Sequence, residues 1–182
     1  MFRAAERHAR RARKSRSQLY AEALSEYLSR HAPDEVTEAM NHVIDQLNKP
    51  HGPIRHGSRA ANPGAKRVVE VSQGEVWWAD LPEPSGSAPG ARRPVVIVQG
   101  NHLNRSLIAT VICVPLTSNL TWAPAPGTVL LPAKTAGLPK DSVANASQII
   151  TVDRAFLAER VAKLPPKHFA QVMSGIDVVL GR

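Results

Sequence analysis

The sequence has one cysteine, few aromatic residues and no long apolar run. Cys113 stands alone within an apolar stretch, so no disulfide can form within one chain, and a buried thiol in a reducing compartment is expected. Aromatic residues make up 4% of the chain and hydrophobic residues 43%, so the core must be largely aliphatic. No stretch is long enough to cross a bilayer, and the basic N-terminus lacks the apolar core of a secretion signal. The sequence therefore predicts a cytoplasmic protein that does not enter a membrane.

Patterns that bind metal ions are also missing. Cys113 has no cysteine or histidine partner at zinc-site spacing, and no carboxylates have the spacing of a two-metal site. His51 and His56 are close in the chain, but no third ligand stands near them. We therefore expect neither a metal ion nor another cofactor.

Acidic residues are scarce at the N-terminal end. The net charge is +8, and residues 1–30 contain eight Lys or Arg against three Asp or Glu. Residues 68–182 are nearly balanced, with ten against eight. A basic excess favours a polyanionic partner such as a nucleic acid. The excess nevertheless lies mostly outside the part of the chain that carries the candidate chemistry.

The pattern of apolar residues divides the chain into three segments. Residues 1–48 have helical periodicity, residues 49–69 form a predicted flexible linker, and residues 70–182 are rich in strand patterns. The linker prediction rests on composition, because residues 49–67 hold three prolines and three glycines with almost nothing to bury. The middle segment is therefore predicted to separate two domains.

Three helices are predicted in the N-terminal segment. The first covers residues 2–13, and the second begins after Ser15, which can form a capping box with Gln18. Pro33 interrupts the pattern, and the third helix covers 34–47. The N-terminal segment is therefore predicted to be all-α.

Strand patterns dominate the C-terminal segment. From Pro166 onward the apolar residues return to helical spacing, which predicts a terminal helix. Short strands followed by one helix predict a mostly β domain built as a small barrel, and an α+β protein overall. The predicted strands lie in 74–81, 93–99, 107–117, 127–131 and 147–153.

Four motifs in this domain carry a resemblance to a known family. They read GEVWWADLPEP, GARRPVVIVQGN, VICVPLTSN and DSVANASQIITVD. In order and spacing, from about Gly74 to Gly181, they resemble the MazF/PemK toxins of type II toxin–antitoxin systems. The resemblance implies a homodimeric SH3-like barrel with a cognate MazE-like antitoxin. It also implies a metal-independent endoribonuclease that cuts single-stranded mRNA at short sequences and leaves a 2′,3′-cyclic phosphate or a 3′-phosphate, with a 5′-hydroxyl.

The resemblance places two catalytic residues, Arg93 and Thr117. A guanidinium stays protonated and matches phosphate oxygens, so Arg93 suits charge stabilisation or donation to the leaving group. Arg92 is the competing candidate, although Arg93 directly abuts the strand. The Thr117 hydroxyl could hold a phosphate oxygen or the nucleophile. No general base can be identified from the sequence.

Candidate RNA-binding residues are polar side chains in the predicted loops. Amides and hydroxyls of this kind can read the edges of unpaired bases. His102 could reach substrate or serve as an ordinary turn residue. Trp77, Trp78 and Trp122 are possible stacking platforms, although one of the first two should face the core. The RNA-binding candidates are Ser87, Gln99, Asn101, His102, Asn104, Ser118, Asn119 and Gln148.

The N-terminal segment resembles the helices of a ribbon-helix-helix, MazE-like antitoxin. The motif ARRARKSRSQLYAEALSEYLSRH carries this resemblance, but the strand that such proteins place in the DNA groove is missing. Three alternatives to a plain nuclease therefore remain open. The chain could be a DNA-binding autorepressor, a gyrase poison related to CcdB, or a fusion whose helix at 34–47 covers the RNA groove.

Overall fold

The computed structural model describes residues 2–48, 69–81 and 91–182. The predicted linker, apart from Val69, and the candidate Ser87 lie outside these ranges. Among the residues described, no helix is both long enough and apolar enough to cross a membrane.

The N-terminal segment contains the three predicted helices: α1 (Phe2–Arg11), α2 (Arg16–His31) and α3 (Pro33–Asn48). The predicted capping box is confirmed. The Ser15 side chain accepts the backbone N–H of Gln18, and the Gln18 side chain accepts the backbone N–H of Ser15. This exchange satisfies two donors that a helix start otherwise leaves without partners.

Within the described ranges, seven strands form one antiparallel sheet that the C-terminal helix covers. In spatial order the strands are β4, β5, β3, β2, β1 and β7, and β6 pairs with the first half of β3. The α+β fold with a mostly β C-terminal part and a terminal helix is therefore confirmed. The elements are β1 (Glu75–Leu81), β2 (Ala91–Ile97), α4 (Asn101–Asn104), β3 (Thr110–Thr117), β4 (Thr128–Leu131), α5 (Ala133–Ala136), β5 (Ser142–Asn145), β6 (Ile150–Asp153), β7 (Leu157–Lys163) and α6 (Pro166–Leu180).

The sheet buries apolar residues on both faces. On one face, Val96 and Leu116 pack with Val172 and Ile176 of α6. On the other, Trp77, Ile97 and Cys113 form a second core, and Val69 packs against it. Alternate residues of a strand point to opposite faces, so neighbours in the chain supply different cores. Fixing both cores also fixes the positions of the strand ends.

The third helix lies against the short helix α4 and the turn that follows it. The Thr37 hydroxyl donates to the His102 carbonyl at 2.6 Å, and the Leu107 N–H donates to the Asn41 side chain at 2.7 Å. Asp34 and Arg105 form an ion pair at 3.3 Å. The fusion hypothesis places this helix across the RNA groove of the dimer; within the single chain it lies on the connection between β2 and β3.

Candidate active site

A cleft of about 400 Å³ opens where β2 begins and β3 ends. The pairing register explains why these two ends meet. Val95 lies opposite Pro115 in the last pair of the β2–β3 ladder, and Arg93 and Thr117 each stand two residues beyond that pair. Both predicted catalytic side chains line this cleft. The full lining is Trp78, Arg92, Arg93, Pro94, Leu116, Thr117, Ser118, Leu138, Pro139, Lys140 and Ser142.

The two neighbouring arginines have different surroundings. Arg92 lies between two carboxylates, at 3.5 Å from Asp80 and 3.7 Å from Glu159. Its guanidinium also lies 5.7 Å from the centre of the Trp78 ring, within the range of a cation–π contact. Arg93 is half-buried and lines the cleft beside it. The partners of Arg92 suit a residue that positions Trp78, which leaves Arg93 as the better candidate for phosphate contact.

The Thr117 hydroxyl is oriented by the turn that follows β3. Its oxygen accepts the backbone N–H of Asn119 at 3.2 Å. A hydroxyl that accepts one hydrogen bond still has a proton to donate, so Thr117 can donate to a phosphate oxygen. Ser118 lines the cleft next to it, and Asn119 is exposed. The Asn119 side chain accepts the N–H of Thr121 and thereby shapes the start of the next turn.

The cleft contains one cation that sequence reasoning missed. Lys140 is exposed in the connection between α5 and β5, and its carbonyl accepts the Ser142 hydroxyl at 3.2 Å. Only its position just before the motif DSVANASQIITVD could have indicated it. With Arg92 and Arg93 it gives the lining three cations. The described lining contains no carboxylate and no imidazole.

Four of the predicted RNA-binding residues lie at the opposite end of the β2–β3 hairpin. Gln99 is six residues from Arg93, which along a strand is roughly 20 Å. Gln99 and Asn104 are only 4% and 5% exposed, and their side chains hydrogen-bond to each other at 3.0 Å. Asn101 accepts the Gln73 N–H at 2.8 Å. These contacts, with that between His102 and Thr37, hold the turn together, so we leave the four residues out of the proposed site.

Trp77 and Trp78 point to opposite faces of the sheet, as neighbouring residues of a strand do. Trp77 is buried, and its indole N–H donates to the Glu75 carboxylate at 3.0 Å. Trp78 points the other way and lines the cleft. Trp122 is 47% exposed in the turn after β3. The candidate Gln148 is half-buried in the turn between β5 and β6 and is not part of the cleft lining.

Comparison with known proteins covers the strand-rich part of the chain. The model of the family described as "PemK-like, MazF-like toxin of type II toxin-antitoxin system" matches residues 72–180. Endoribonuclease MazF6 of Mycobacterium tuberculosis is 44% identical over 110 residues, which are 60% of this chain and 96% of that protein. The match begins after the N-terminal helices, so their resemblance to an antitoxin stays a prediction.

Two solved structures from Deinococcus radiodurans share this fold. MazF (Form-I) has a TM-score of 0.54 and 24% identity over 63% of this chain and 99% of its own. MazE-MazF (Form-II) has a TM-score of 0.51 and 25% identity over 62% of this chain and 97% of its own. Together with the family match, these findings show that the chain belongs to the PemK-like, MazF-like toxins of type II toxin–antitoxin systems.

Proposed function

We propose that this toxin is a sequence-specific endoribonuclease that cuts single-stranded mRNA by attack of the RNA's own 2′-hydroxyl, without a metal ion. One observation carries the proposal: Arg93 and Thr117, far apart in the chain, line a single cationic cleft. The relatives named endoribonucleases support the same activity. The gyrase-poison alternative has no comparable support from the cleft.

The proposed reaction exchanges one bond to phosphorus for another. The 2′-oxygen loses its proton to water and bonds to the adjacent phosphorus; the bond from phosphorus to the 5′-oxygen of the next nucleotide then breaks, and that oxygen takes a proton from water. Negative charge builds up on the phosphorane between these steps. Arg93 stabilises it with a permanently charged, forked donor, and Lys140 adds a second positive charge. Thr117 donates to a non-bridging oxygen, which orients the phosphate for attack.

The side chains around the cleft support the proposed metal independence. Hard divalent cations are bound by carboxylate and carbonyl oxygens, and zinc by thiolate, imidazole or carboxylate groups. The part of the cleft wall that the structure describes offers three cationic side chains and no acidic one. Such a wall repels a metal ion and attracts phosphate. The cations of the cleft therefore take the charge-stabilising role that a metal would have in other nucleases.

Base recognition is proposed for the groups next to the catalytic pair. The exposed Ser118 and Asn119 can hydrogen-bond to base edges, and Trp78 offers a half-buried ring for stacking. Ser87 and Gln148 stay candidates for the same role. Trp122 is exposed one turn further on, where it could stack on a base or meet a partner. Changing Asn119 to Ala should relax the cleavage motif, and an unchanged motif would remove this residue from the proposal.

The proposed assembly is a cytoplasmic homodimer inhibited by a MazE-like antitoxin. A groove of about 440 Å³ lies between β4 and α6, and the exposed apolar side chains of Leu130 and Val178 border it. Exposed apolar surface of this kind is typical of an interface between subunits. A monomer mass near 19.7 kDa at micromolar concentration would contradict the dimer. Cleavage unaffected by the antitoxin, or recovery in a membrane fraction, would contradict the other two points.

The direct test incubates the full chain with a long single-stranded RNA in excess EDTA and maps the ends of the fragments. We expect cuts at one short sequence, with 5′-hydroxyl and 2′,3′-cyclic phosphate ends. Uncut RNA, or cleavage only after magnesium is added, would contradict the proposal. A substrate with a 2′-deoxy residue at the cut site is the matched control and should stay intact.

A further inference from the structure

The first helix and the turn after it carry cations that the catalytic cleft does not use. Residues 7–16 include six Lys or Arg and no Asp or Glu. Two of these cations have acidic partners: Lys14 pairs with Glu22 at 2.6 Å, and Arg16 pairs with Glu6. Arg7, Arg11 and Arg13 are exposed, and no ion pair is found for them within the described parts of the chain. We call these three residues the N-terminal arginine cluster.

Helix geometry points two members of the cluster away from the protein. Ala9 is 3% exposed and marks the inner side of α1. Residues two positions before and after it lie on roughly the opposite side, because each residue turns the helix by about 100°. Arg7 and Arg11 are therefore neighbours on the outer side, one turn apart. Two like charges at this spacing destabilise a helix slightly, so the pair is not explained by helix stability.

The third member lies in a conformation that does not favour arginine. Arg13 has a φ of 54°, in the left-handed region where glycine is the usual residue at a helix end. The turn is closed by the Lys14 N–H, which donates to the Ala9 carbonyl at 3.0 Å. A glycine at this position would relieve the strain and remove the charge. Arg13 instead adds a third cation two residues after Arg11.

We propose that the N-terminal arginine cluster is a second RNA-binding site, which holds the phosphate backbone of single-stranded RNA without reading its sequence. Guanidinium groups match phosphate oxygens, and a helix face with adjacent cations suits a polyanion. The contacts of Thr37, Asn41 and Asp34 attach the helical segment to the catalytic domain. RNA bound at the cluster is thereby held on the same molecule as the cleft, which raises its local concentration.

The choice of RNA over duplex DNA rests on the proposed ribonuclease function. Sequence-specific reading of duplex DNA requires an element seated in a groove. In the ribbon-helix-helix fold that this segment resembles, that element is a strand, and residues 2–48 as described contain only helices and their connections. Backbone contact without base reading is the recognition that this surface offers. Binding of duplex DNA alone would be a different function and is an outcome of the test below.

The test measures binding of the full chain to a fluorescent single-stranded 2′-O-methyl RNA of about 30 nucleotides, at salt concentrations from about 50 to about 200 mM. The variant Arg7→Gln/Arg11→Gln removes two cations and keeps good helix formers. Lys163→Gln/Lys167→Gln removes the same charge from exposed positions of the catalytic domain. The salt slope is the fall in the logarithm of the binding constant per unit rise in the logarithm of the salt concentration. Each phosphate contact on a single strand contributes about 0.7 to it. The salt slope should therefore fall by about 1.4 in the first variant and stay near the wild-type value in the control.

The variant Arg13→Gly distinguishes an effect on RNA binding from an effect on folding. It removes a charge and relieves backbone strain, so it should weaken RNA binding without lowering the thermal unfolding temperature. An unchanged salt slope in Arg7→Gln/Arg11→Gln, or an equal fall in the control, would overturn the inference. The inference would also be overturned if Arg7→Gln/Arg11→Gln lost affinity for duplex DNA and kept its affinity for single-stranded RNA. The 2′-O-methyl probe cannot be cut, because it lacks the nucleophilic hydroxyl, so binding is measured separately from cleavage. If the chain binds the probe but cuts no unmodified RNA, the proposed function is contradicted and this inference is not. If the chain cuts RNA but the salt slope of Arg7→Gln/Arg11→Gln equals that of the wild type, this inference is contradicted and the proposed function is not.

Discussion

Cys113 lies on β3 with none of its surface exposed, and burial raises the pKa of its thiol to about 12 from an ordinary value of 9.0. The folded chain therefore keeps this proton at pH values where the unfolded chain loses it. The resulting stabilisation is complete below pH 9 and is lost progressively as the pH rises towards 12.

We predict that between these limits the free energy of unfolding of the wild type falls more steeply with pH than that of Cys113→Val, by about 1 kcal/mol per pH unit. Urea unfolding of both proteins at several alkaline pH values measures the difference, in which the shared titration of lysines and tyrosines cancels. Parallel pH profiles would show that Cys113 makes no such contribution.

The Thr117 hydroxyl is predicted to contribute to the chemical step. Thr117→Val keeps the shape of the side chain but removes the donor, so the single-turnover cleavage rate should fall on the order of a hundredfold. Thr117→Ser keeps the hydroxyl and should retain most of the rate. Equal rates in wild type and Thr117→Val would remove this residue from the catalytic machinery.

The sequence could place the proposed catalytic pair at strand ends but could not sort the polar loop residues. Arg93 and Thr117 each stand beside a strong strand pattern, so their places at the strand ends followed from the sequence. In the sequence, Gln99 and Asn104 look like amides that read bases. In the structure they hydrogen-bond to each other inside a turn. Lys140 reaches the cleft from a different connection. Such contacts depend on tertiary packing, which a local pattern does not specify.

Helix α3 and the turn after α4 form an intramolecular contact that can be tested alone. The Asn41 side chain accepts the Leu107 N–H, and this hydrogen bond should contribute about 1 kcal/mol. Asn41→Ala should therefore raise the hydrogen-exchange rate of the Leu107 amide about fivefold. Gln46→Ala changes an exposed residue of the same helix and is the control. Equal Leu107 exchange in wild type and Asn41→Ala would show that α3 does not hold this turn.

The strands that were predicted and those that were missed differ in their surroundings. β1, β2 and β3 contribute to both cores, so their apolar patterns are strong. Among the strands that the structure describes, β7 lies at the sheet edge and pairs only with β1, and its sequence LAERVAK carries charges where it faces solvent. Edge strands commonly carry such charges, which hide their alternation from a search for apolar residues. β5 has the sequence SVAN, and its single large apolar residue gives no alternation to search for, although all four residues are buried.

The chain joins a toxin domain, which the family model matches, to three N-terminal helices, whose resemblance to an antitoxin stays a prediction. α3 contacts the turn at the far end of the β2–β3 hairpin, at His102 and Leu107, and contributes no residue to the described lining of the cleft, so within one chain it leaves the cleft open. This argues against the hypothesis that the fused helix blocks the RNA groove. The proposed division of the chain, 1–48 and 70–182 joined by 49–69, gives this question a simple experiment.

Deleting residues 1–67 should leave the cleavage rate of a short RNA substrate unchanged, because the cleft is intact. The same deletion should raise the KM for a long RNA, since the N-terminal arginine cluster is lost. Steady-state kinetics on both substrates measure the two effects. A large rise in the rate on the short substrate would instead restore the self-inhibition hypothesis.

The comparison of Arg93→Gln with Arg92→Gln tests the central claim most directly. Both variants remove one positive charge from the same cleft, but only Arg93 is assigned to the phosphorane. Single-turnover cleavage in EDTA should slow about a hundredfold to a thousandfold in Arg93→Gln. In Arg92→Gln it should change by only a few-fold, because exposed ion pairs contribute little. Full activity of Arg93→Gln, or an equal loss in both variants, would contradict the account.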